Sequence, residues 1–360
     1  MHRYVLIGDA QSPHLLKWAR ALAGRVELWV ASSRGFDAGF DAVLPAGRRL
    51  ALQLHPRVEG GNLSVLRALP RLGRWLKQVD ADWIHAHYLS SHGTLAWLAR
   101  RVWRLRGALI GSAWGSDILV APQRSVLVRA LTRRVLRACV LTTSDSQHMA
   151  ECMRALGAGE VMVFPFGLEA LPLASKAKQP HLFYANRGLE ALYAPMRVLE
   201  LFGCVADHWP DAELVVANDG SLRIDVERWC AGQPWASRVR FVGRLHSDEQ
   251  QRWYAQAQWY VSLPESDSVS VSALEAMASG CIPILSDLPA NHELVRSGRT
   301  GLIVEARRGA LTDVPSQLER LLPHASAIAD THRAWVQQHA LFAPSVERFL
   351  SRLAELEPRA

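Results

Sequence analysis

Apolar and polar positions follow two rhythms along the chain. Short β-branched and aromatic runs, such as YVLIG at 4–8, alternate with longer stretches whose apolar residues recur every three or four positions. The first rhythm reads as buried strands and the second as amphipathic helices. Strands are predicted at 4–8, 26–31, 82–87, 109–113, 139–143 and 161–165, with helices at 13–24, 63–78, 92–106, 124–137 and 147–156 between them. A second series has strands at 181–186, 213–217, 239–242, 259–263, 282–285 and 301–304, and helices at 195–208, 221–231, 248–257, 270–279 and 290–297. Helices at 312–322 and 325–356, the latter broken near Pro344, close the chain. Such alternation means βαβ units and parallel sheets covered by helices. The segment LPLASKAKQP (171–180) has a linker's Pro, Ser and Lys content. The fold class expected is therefore α/β, with two Rossmann-like domains, 1–170 and 171–340, facing a cleft. Ligands are expected at the carboxyl ends of the strands.

Composition sharpens this picture. The chain has 360 residues, enough for two ordinary domains. It holds no apolar run of membrane-spanning length, and MHRYVLIGDAQ reads as a first strand broken by Asp9, not as a signal peptide. Cys139, Cys152, Cys204, Cys230 and Cys281 are odd in number and form no C-x-x-C pair. Neither a disulfide framework nor a zinc site is expected, which fits a reducing cytoplasm. Net charge is +7, but unevenly spread: residues 1–170 carry 22 Lys/Arg and 12 Asp/Glu, and the rest carry 19 and 22. A basic half beside a mildly acidic one suggests an anionic partner: nucleic acid, lipid or substrate.

The richest chemistry lies in LPESDSVSVSALEAMASGCIPILSD (263–287). A strand ends at Pro264, a polar loop follows, and a helix opens near Ser270–Ser272. Its free N–H groups and positive dipole end suit a phosphate. Asp267 in the loop and Glu275 on the helix suit sugar hydroxyls better than an anion. A capped helix with solvated acids is the plainer alternative.

Asp-x7-Glu followed by AMASGCIPILSD resembles the E-x7-E region of family 4 retaining glycosyltransferases, which have the GT-B fold of two facing Rossmann-like domains. Further segments resemble that family in order: DADWIHAHYLSSHG (80–93), IGSAWGSDIL (110–119), LTTSDSQHMAECMRALG with VFPFGLE (141–169), YANRGLEALY (184–193), ANDGSLR (217–223) and FVGRL (241–245). The resemblance implies that Glu275 binds the nucleotide ribose and Asp267 the donor sugar. Amides of Ser270, Val271 and Ser272 would cradle the distal phosphate, and Arg187 would neutralise the diphosphate. His87 would lie near the reacting carbon, and the loop Asp9–His14 would close over the diphosphate. Residues 341–360 would form a helix crossing back to the first domain. The implied activity moves a sugar from a UDP- or GDP-sugar to a glycan or lipid-linked glycan of cell-surface polysaccharide or lipopolysaccharide.

The chain departs from the family pattern at several positions. The first acid is Asp267. No Lys follows Arg187; Leu192 and Tyr193 stand there, leaving Arg244 as a further candidate cation. DAQSPH replaces a Gly-Gly loop, and Trp114 replaces the histidine of the H-G-S-D segment, so Trp114 and Asp117 mark the acceptor side. Plainer readings accompany several residues: of His85 and His87, which share a strand face, one is structural; Asp117 caps a turn; Arg187 pairs with Glu190. Asp80 and Asp82 spell D-x-D, but a turn fits their position better than a metal, and no metal or other cofactor is expected.

Helix 124–138 sets Arg124, Arg129, Arg133, Arg134 and Arg137 against an apolar stripe of Val126, Leu127, Leu131, Val135 and Leu136. Neighbouring helices add Arg67, Arg71, Arg74, Lys77, Arg100, Arg101, Arg104 and Arg106, interleaved with Trp75, Trp97 and Trp103. Arg with Trp suits a bilayer interface, so a peripheral site on the inner membrane face is expected. An epimerase or glycan phosphorylase of the same fold is the alternative reaction. A nucleic-acid-binding protein is more distant, because no nucleic-acid module is present, and nucleic acid is not the expected partner.

Overall fold

The computed structural model describes residues 2–54, 67–172, 178–305, 309 and 311–356. The chain divides into two compact units, residues 1–164 with 343–360, and residues 165–342.

In the first unit the described strands are β1 (Arg3–Gly8), β2 (Glu27–Ser32), β3 (Arg49–Ala51), β4 (Trp83–His87), β5 (Ala108–Ser112), β6 (Cys139–Ser144) and β7 (Val161–Val163). They form one sheet in the order β3-β2-β1-β4-β5-β6-β7, and the pairings are parallel. In the second unit β8 (Gln179–Ala185), β9 (Glu213–Ala217), β10 (Val239–Gly243), β11 (Ala257–Ser262), β12 (Ile282–Ser286) and β13 (Leu302–Val304) run β10-β9-β8-β11-β12-β13, again parallel. Both are doubly wound α/β sheets. Strand order reverses between β1 and β4 in one and between β8 and β11 in the other. Loops at the carboxyl ends there diverge and leave a crevice.

The strands form because their runs are buried on both faces: all of β4, β5, β11 and β12 is buried. At about 25 cal/mol per Å² of apolar surface, such burial is the main force holding each sheet to its helices. Each unit has its own core, one around Ile7, Ile84 and Leu109 and others around Phe183, Trp259 and Tyr260.

Several expectations shift. The edge strand β3 is absent from the predicted elements, because three residues are too short to show a period. The predicted helix 92–106 becomes a π-turn at Leu89–Gly93 and a helix at Thr94–Val102. The predicted helix 290–297 is only Pro289–His292. The start of the predicted helix 63–78 lies outside the described residues, and the observed helix is Leu69–Val79. The final helical region breaks into Ala325–His339 and Phe342–Glu355, with Pro344 in the first turn of the second, where its missing N–H costs no hydrogen bond. At that break the Leu168 amide donates to Ala340 O, and the Phe342 amide donates to Leu168 O. Gly167 is needed there, since a Cβ would lie 1.7 Å from the Ala340 carbonyl oxygen.

Candidate functional site

Two polar clusters lie at the two switch points. In the second unit, β11 leads through Leu263–Pro264 into a loop and then the helix Val271–Ala278. Ser270 caps that helix, its Oγ accepting the Ala273 amide. The first-turn amides, including Val271 and Ser272, have no carbonyl partner within the helix. Arg187 leaves the end of β8 and reaches this cap. Its Nη1 donates to Ser270 Oγ (3.0 Å) and its Nη2 to Asp267 Oδ2 (2.7 Å). The Tyr193 ring lies 4.4 Å from its Cζ, in the neighbourhood where the family carries Lys. Arg187 Nε is buried with no hydrogen-bond partner among the described residues.

Burial opposes the Arg187 charge, but Asp267 and the nearby phenols raise its pKa above the ordinary value. Burial likewise pushes the Asp267 carboxyl up, against the pull of Arg187 and of the Ser268 amide. The pair is therefore a partly buried ion pair whose members depend on each other. Glu190 does not take Arg187. Its carboxylate instead accepts the Ser221 amide and hydroxyl.

Glu275 accepts the Tyr254 hydroxyl (3.1 Å). Tyr254 Oη in turn accepts Asn186 Nδ2 (2.7 Å), and Asn186 Oδ1 accepts the Tyr260 hydroxyl (3.0 Å). This buried network joins β8, β11 and two helices, and it orients Glu275. Sequence reading missed Asn186, Tyr254 and Tyr260; the only cue was the place of Asn186 beside Arg187 at a strand end. Arg244 is exposed after the left-handed Gly243, with no hydrogen bond or ion pair to the Arg187 cluster among the described residues. A recess lined by Arg187, Gly188, Tyr193, Val216, Val261 and Leu263 opens at the strand ends.

In the first unit, His85 and His87 point the same way from β4, their rings 4.5 Å apart. His85 has both nitrogens engaged, with Tyr4 Oη (2.8 Å) and Ser112 Oγ (2.7 Å). Burial lowers its pKa to about 3, so it is a neutral structural residue. His87 Nδ1 accepts the Trp114 indole N–H (3.0 Å), while its Nε2 is buried with no partner among the described residues. Asp117, also buried, accepts the amides of Leu89 (2.7 Å) and Trp114 (2.9 Å), tying the π-turn to Trp114. Burial pushes its carboxyl up to about 6, against those amides. The His14 ring packs 4.6 Å from Trp114. Asp9 accepts the Gln11 amide and pairs with Arg34 at 3.5 Å.

Other candidates are placed in ordinary roles. Asp80 closes a helix in the left-handed region (φ 48°) and pairs with Arg3 and Arg106, and Asp82 accepts the Arg3 amide. No group of three or more possible metal ligands occurs among the described residues. Of the tryptophans expected at an interface, Trp75 and Trp97 are half-buried against the core, and Trp103, also half-buried, packs on Gly73, where a Cβ would meet its ring at 2.4 Å. The expected stripe also splits. Val135 and Leu136 are buried, whereas Val126 is 85% and Leu127 57% exposed.

Comparison with known proteins agrees with this geometry. A family model described as "Glycosyl transferases group 1" matches residues 185–322, and one described as "Glycosyl transferase 4-like" matches 4–146. A sulfoquinovosyl transferase of Arabidopsis thaliana is 29% identical over 127 residues, 34% of this chain and 24% of that protein. A GDP-mannose:cellobiosyl-diphosphopolyprenol alpha-mannosyltransferase of Xanthomonas oryzae pv. oryzae is 38% identical over 78 residues, 22% of this chain and 20% of that protein. The matched stretches thus span about a quarter or less of these curated relatives. HepE of Anabaena, solved with UDP and glucose, has a similar fold, with TM-score 0.80 at 13% identity, covering 99% of this chain and 100% of that one. Two parallel doubly wound sheets and two family matches that together take in residues 4–146 and 185–322 establish that the chain belongs to the group 1, family 4-type glycosyltransferases of the GT-B fold.

Proposed function

We propose that the protein is a retaining glycosyltransferase that moves a hexose-type sugar from a UDP- or GDP-sugar to a hydroxyl of a glycan or lipid-linked glycan. The observation that carries this reading is Arg187 held over the N-terminus of helix Val271–Ala278. As the glycosidic bond breaks, negative charge grows on the leaving diphosphate. A guanidinium and a row of free amides already aimed at one place stabilise that charge without reorganising. Glu275, held by Tyr254, accepts the ribose hydroxyls. The acceptor hydroxyl approaches the face the diphosphate leaves, and a phosphate oxygen takes its proton. The pairing of UDP and glucose in HepE, and the sulfoquinovosyl and mannosyl transfer named for the curated relatives, support a nucleotide-sugar donor.

Glu275→Gln keeps an acceptor for Tyr254 but loses the carboxylate. It should weaken nucleotide-sugar binding by roughly tenfold or more, the cost of a charge-assisted hydrogen bond. A panel of UDP-, GDP- and ADP-sugars in a thermal-shift assay reads this. Wild type should be stabilised by its own donor, and stabilisation by none would refute the donor site.

The acceptor-side unit carries the basic excess, and Val102, Val126 and Leu127 stand exposed among its arginines. This supports a peripheral site on an anionic inner membrane leaflet, with cell-surface polysaccharide or lipopolysaccharide as product. No helix among the described residues is long and apolar enough to cross a membrane. Sedimentation with phosphatidylglycerol vesicles should capture the protein at low salt and release it at high salt. No capture at low salt overturns the membrane part.

A further inference from the structure

Trp114 is a departure from the family pattern with a chemical consequence. An indole N–H can only donate a hydrogen bond, and Trp114 Nε1–H points at His87 Nδ1 across 3.0 Å. Nδ1 must therefore offer its lone pair. In a neutral imidazole the proton then sits on Nε2. His87 is buried, 2% exposed, and burial, with the nearby His85, His92 and His14, holds it well below the usual histidine pKa. Nε2–H is thus a buried donor whose partner is missing among the described residues. A buried donor without an acceptor is costly, so a ligand oxygen arriving there removes a standing penalty.

His92 shows the opposite polarity. Its Nδ1 lies 3.0 Å from the His87 carbonyl oxygen, which can only accept, so Nδ1 carries the proton. Its pKa is lowered to about 4, chiefly by burial. Its Nε2 is therefore a bare lone pair, also buried and also without a partner among the described residues. The turn that carries His92 passes through Tyr88 at φ 61° and is tied down by Asp117 at the Leu89 amide.

We propose that Trp114 is the positioning residue that holds His87 as a permanent Nε2–H donor, with His92 held the opposite way as an acceptor, so that this part of the protein selects ligands bearing hydroxyl groups. A hydroxyl oxygen accepts from His87, and a hydroxyl proton is donated to His92. A fully ionised phosphate ester, which has no proton to donate, satisfies the first and not the second. A histidine in place of Trp114 could either donate or accept; an indole removes that freedom. The identification of the ligand as a sugar rests on the glycosyltransferase reading. The assignment of the two tautomers does not.

The test is imidazole nitrogen–proton correlation spectroscopy on the ¹⁵N-histidine-labelled full chain, with His87 assigned by its loss in His87→Gln. Wild-type His87 should be neutral and protonated on Nε2 throughout the neutral pH range. In Trp114→Phe the ring is retained but the donor is lost, and His87 should become a mixture of tautomers. A wild-type His87 protonated on Nδ1, or charged, overturns the proposal, and so does an unchanged His87 spectrum in Trp114→Phe. If that variant does not fold, the wild-type spectrum alone decides the tautomer. With UDP-glucose and GDP-mannose as probes, Trp114→Phe should lower kcat by about tenfold or more with a smaller change in KM, the pattern of a lost oriented donor. An altered tautomer with unchanged kcat overturns the positioning role. The spectra need no substrate, so a wild type that turns over no nucleotide sugar counts against the glycosyltransferase reading and not against the tautomer assignment.

Discussion

The Arg187 cluster and the His87 cluster occupy corresponding places in their sheets. Arg187 follows β8 and Asp267 follows β11, while His87 ends β4 and Asp9 follows β1. Yet their electrostatics differ. The first is built from opposite charges: a guanidinium, a carboxylate and a helix end. The second is built at its centre from neutral imidazoles, because burial removes the proton and at His92 outweighs the pull of Asp9. The same topology therefore offers charge recognition in one unit and hydroxyl recognition in the other. Local surroundings decide which: Asp267 pairs the Arg187 charge, and burial keeps His87 neutral while Trp114 orients it.

The most severe way to break this contrast is Arg187→Ala. Transfer should fall by about 10²–10³-fold, the scale of one lost oxyanion-type donor. Stability should fall too, by about 1–3 kcal/mol, because Asp267 is left partly buried and unpaired. Arg187→Ala with Asp267→Asn should recover much of the stability and none of the activity, as read by urea unfolding beside a transfer assay. Equal stability of the single and double variants would mean the ion pair does not matter to folding.

Acid should separate the two units next. His85 and His92 have folded pKa values of about 3 and about 4, below the unfolded value of 6.5. Their contribution is complete above that value and is lost as pH falls toward the folded ones. At about 1.4 kcal/mol for each tenfold change in proton affinity, this amounts to several kcal/mol for residues 1–164. Asp117, raised to about 6, works the other way: its contribution is present below the unfolded carboxyl value of 3.8 and is lost as pH rises through about 6. Two histidines outweigh one carboxyl, so calorimetry should show the transition of this unit falling first on acidification. Simultaneous loss of both transitions would contradict the contrast.

Tyr193→Leu probes the smallest effect. Loss of the aromatic face under Arg187 should cost about 0.5–2 kcal/mol of nucleotide affinity, and Tyr193→Phe should be nearly silent. Isothermal titration with UDP or GDP distinguishes them; equal losses would assign the effect to the hydroxyl and not to the ring.

Much of this architecture is written locally. The runs at 4–8, 213–217 and 282–286 are buried strands because they are short, apolar and bounded by polar turns. The helix at 195–208 begins at a proline and keeps a continuous apolar face. Ser270 as a cap, and hence the anion-seeking helix end, follows from a serine before an apolar helical run. What local pattern missed is short or cooperative: β3, with three residues, and the π-turn at Leu89–Gly93, set by contacts from Asp117 and the His87 carbonyl.

Residue order along the chain was enough for two doubly wound units and for the capped helix with Glu275 on it, because periodicity and capping are near-neighbour properties; Arg187 and His87 came into view through the resemblance of their segments to the family. Only the tertiary structure decided their partners. Arg187 chooses Asp267, 80 positions away, over Glu190, three away. Glu275 meets Asn186 through Tyr254. Trp114 reaches His87 across 27 positions. A polar side chain's charge and tautomer depend on which groups exclude water from it and which face its lone pairs, and strand order and packing set both.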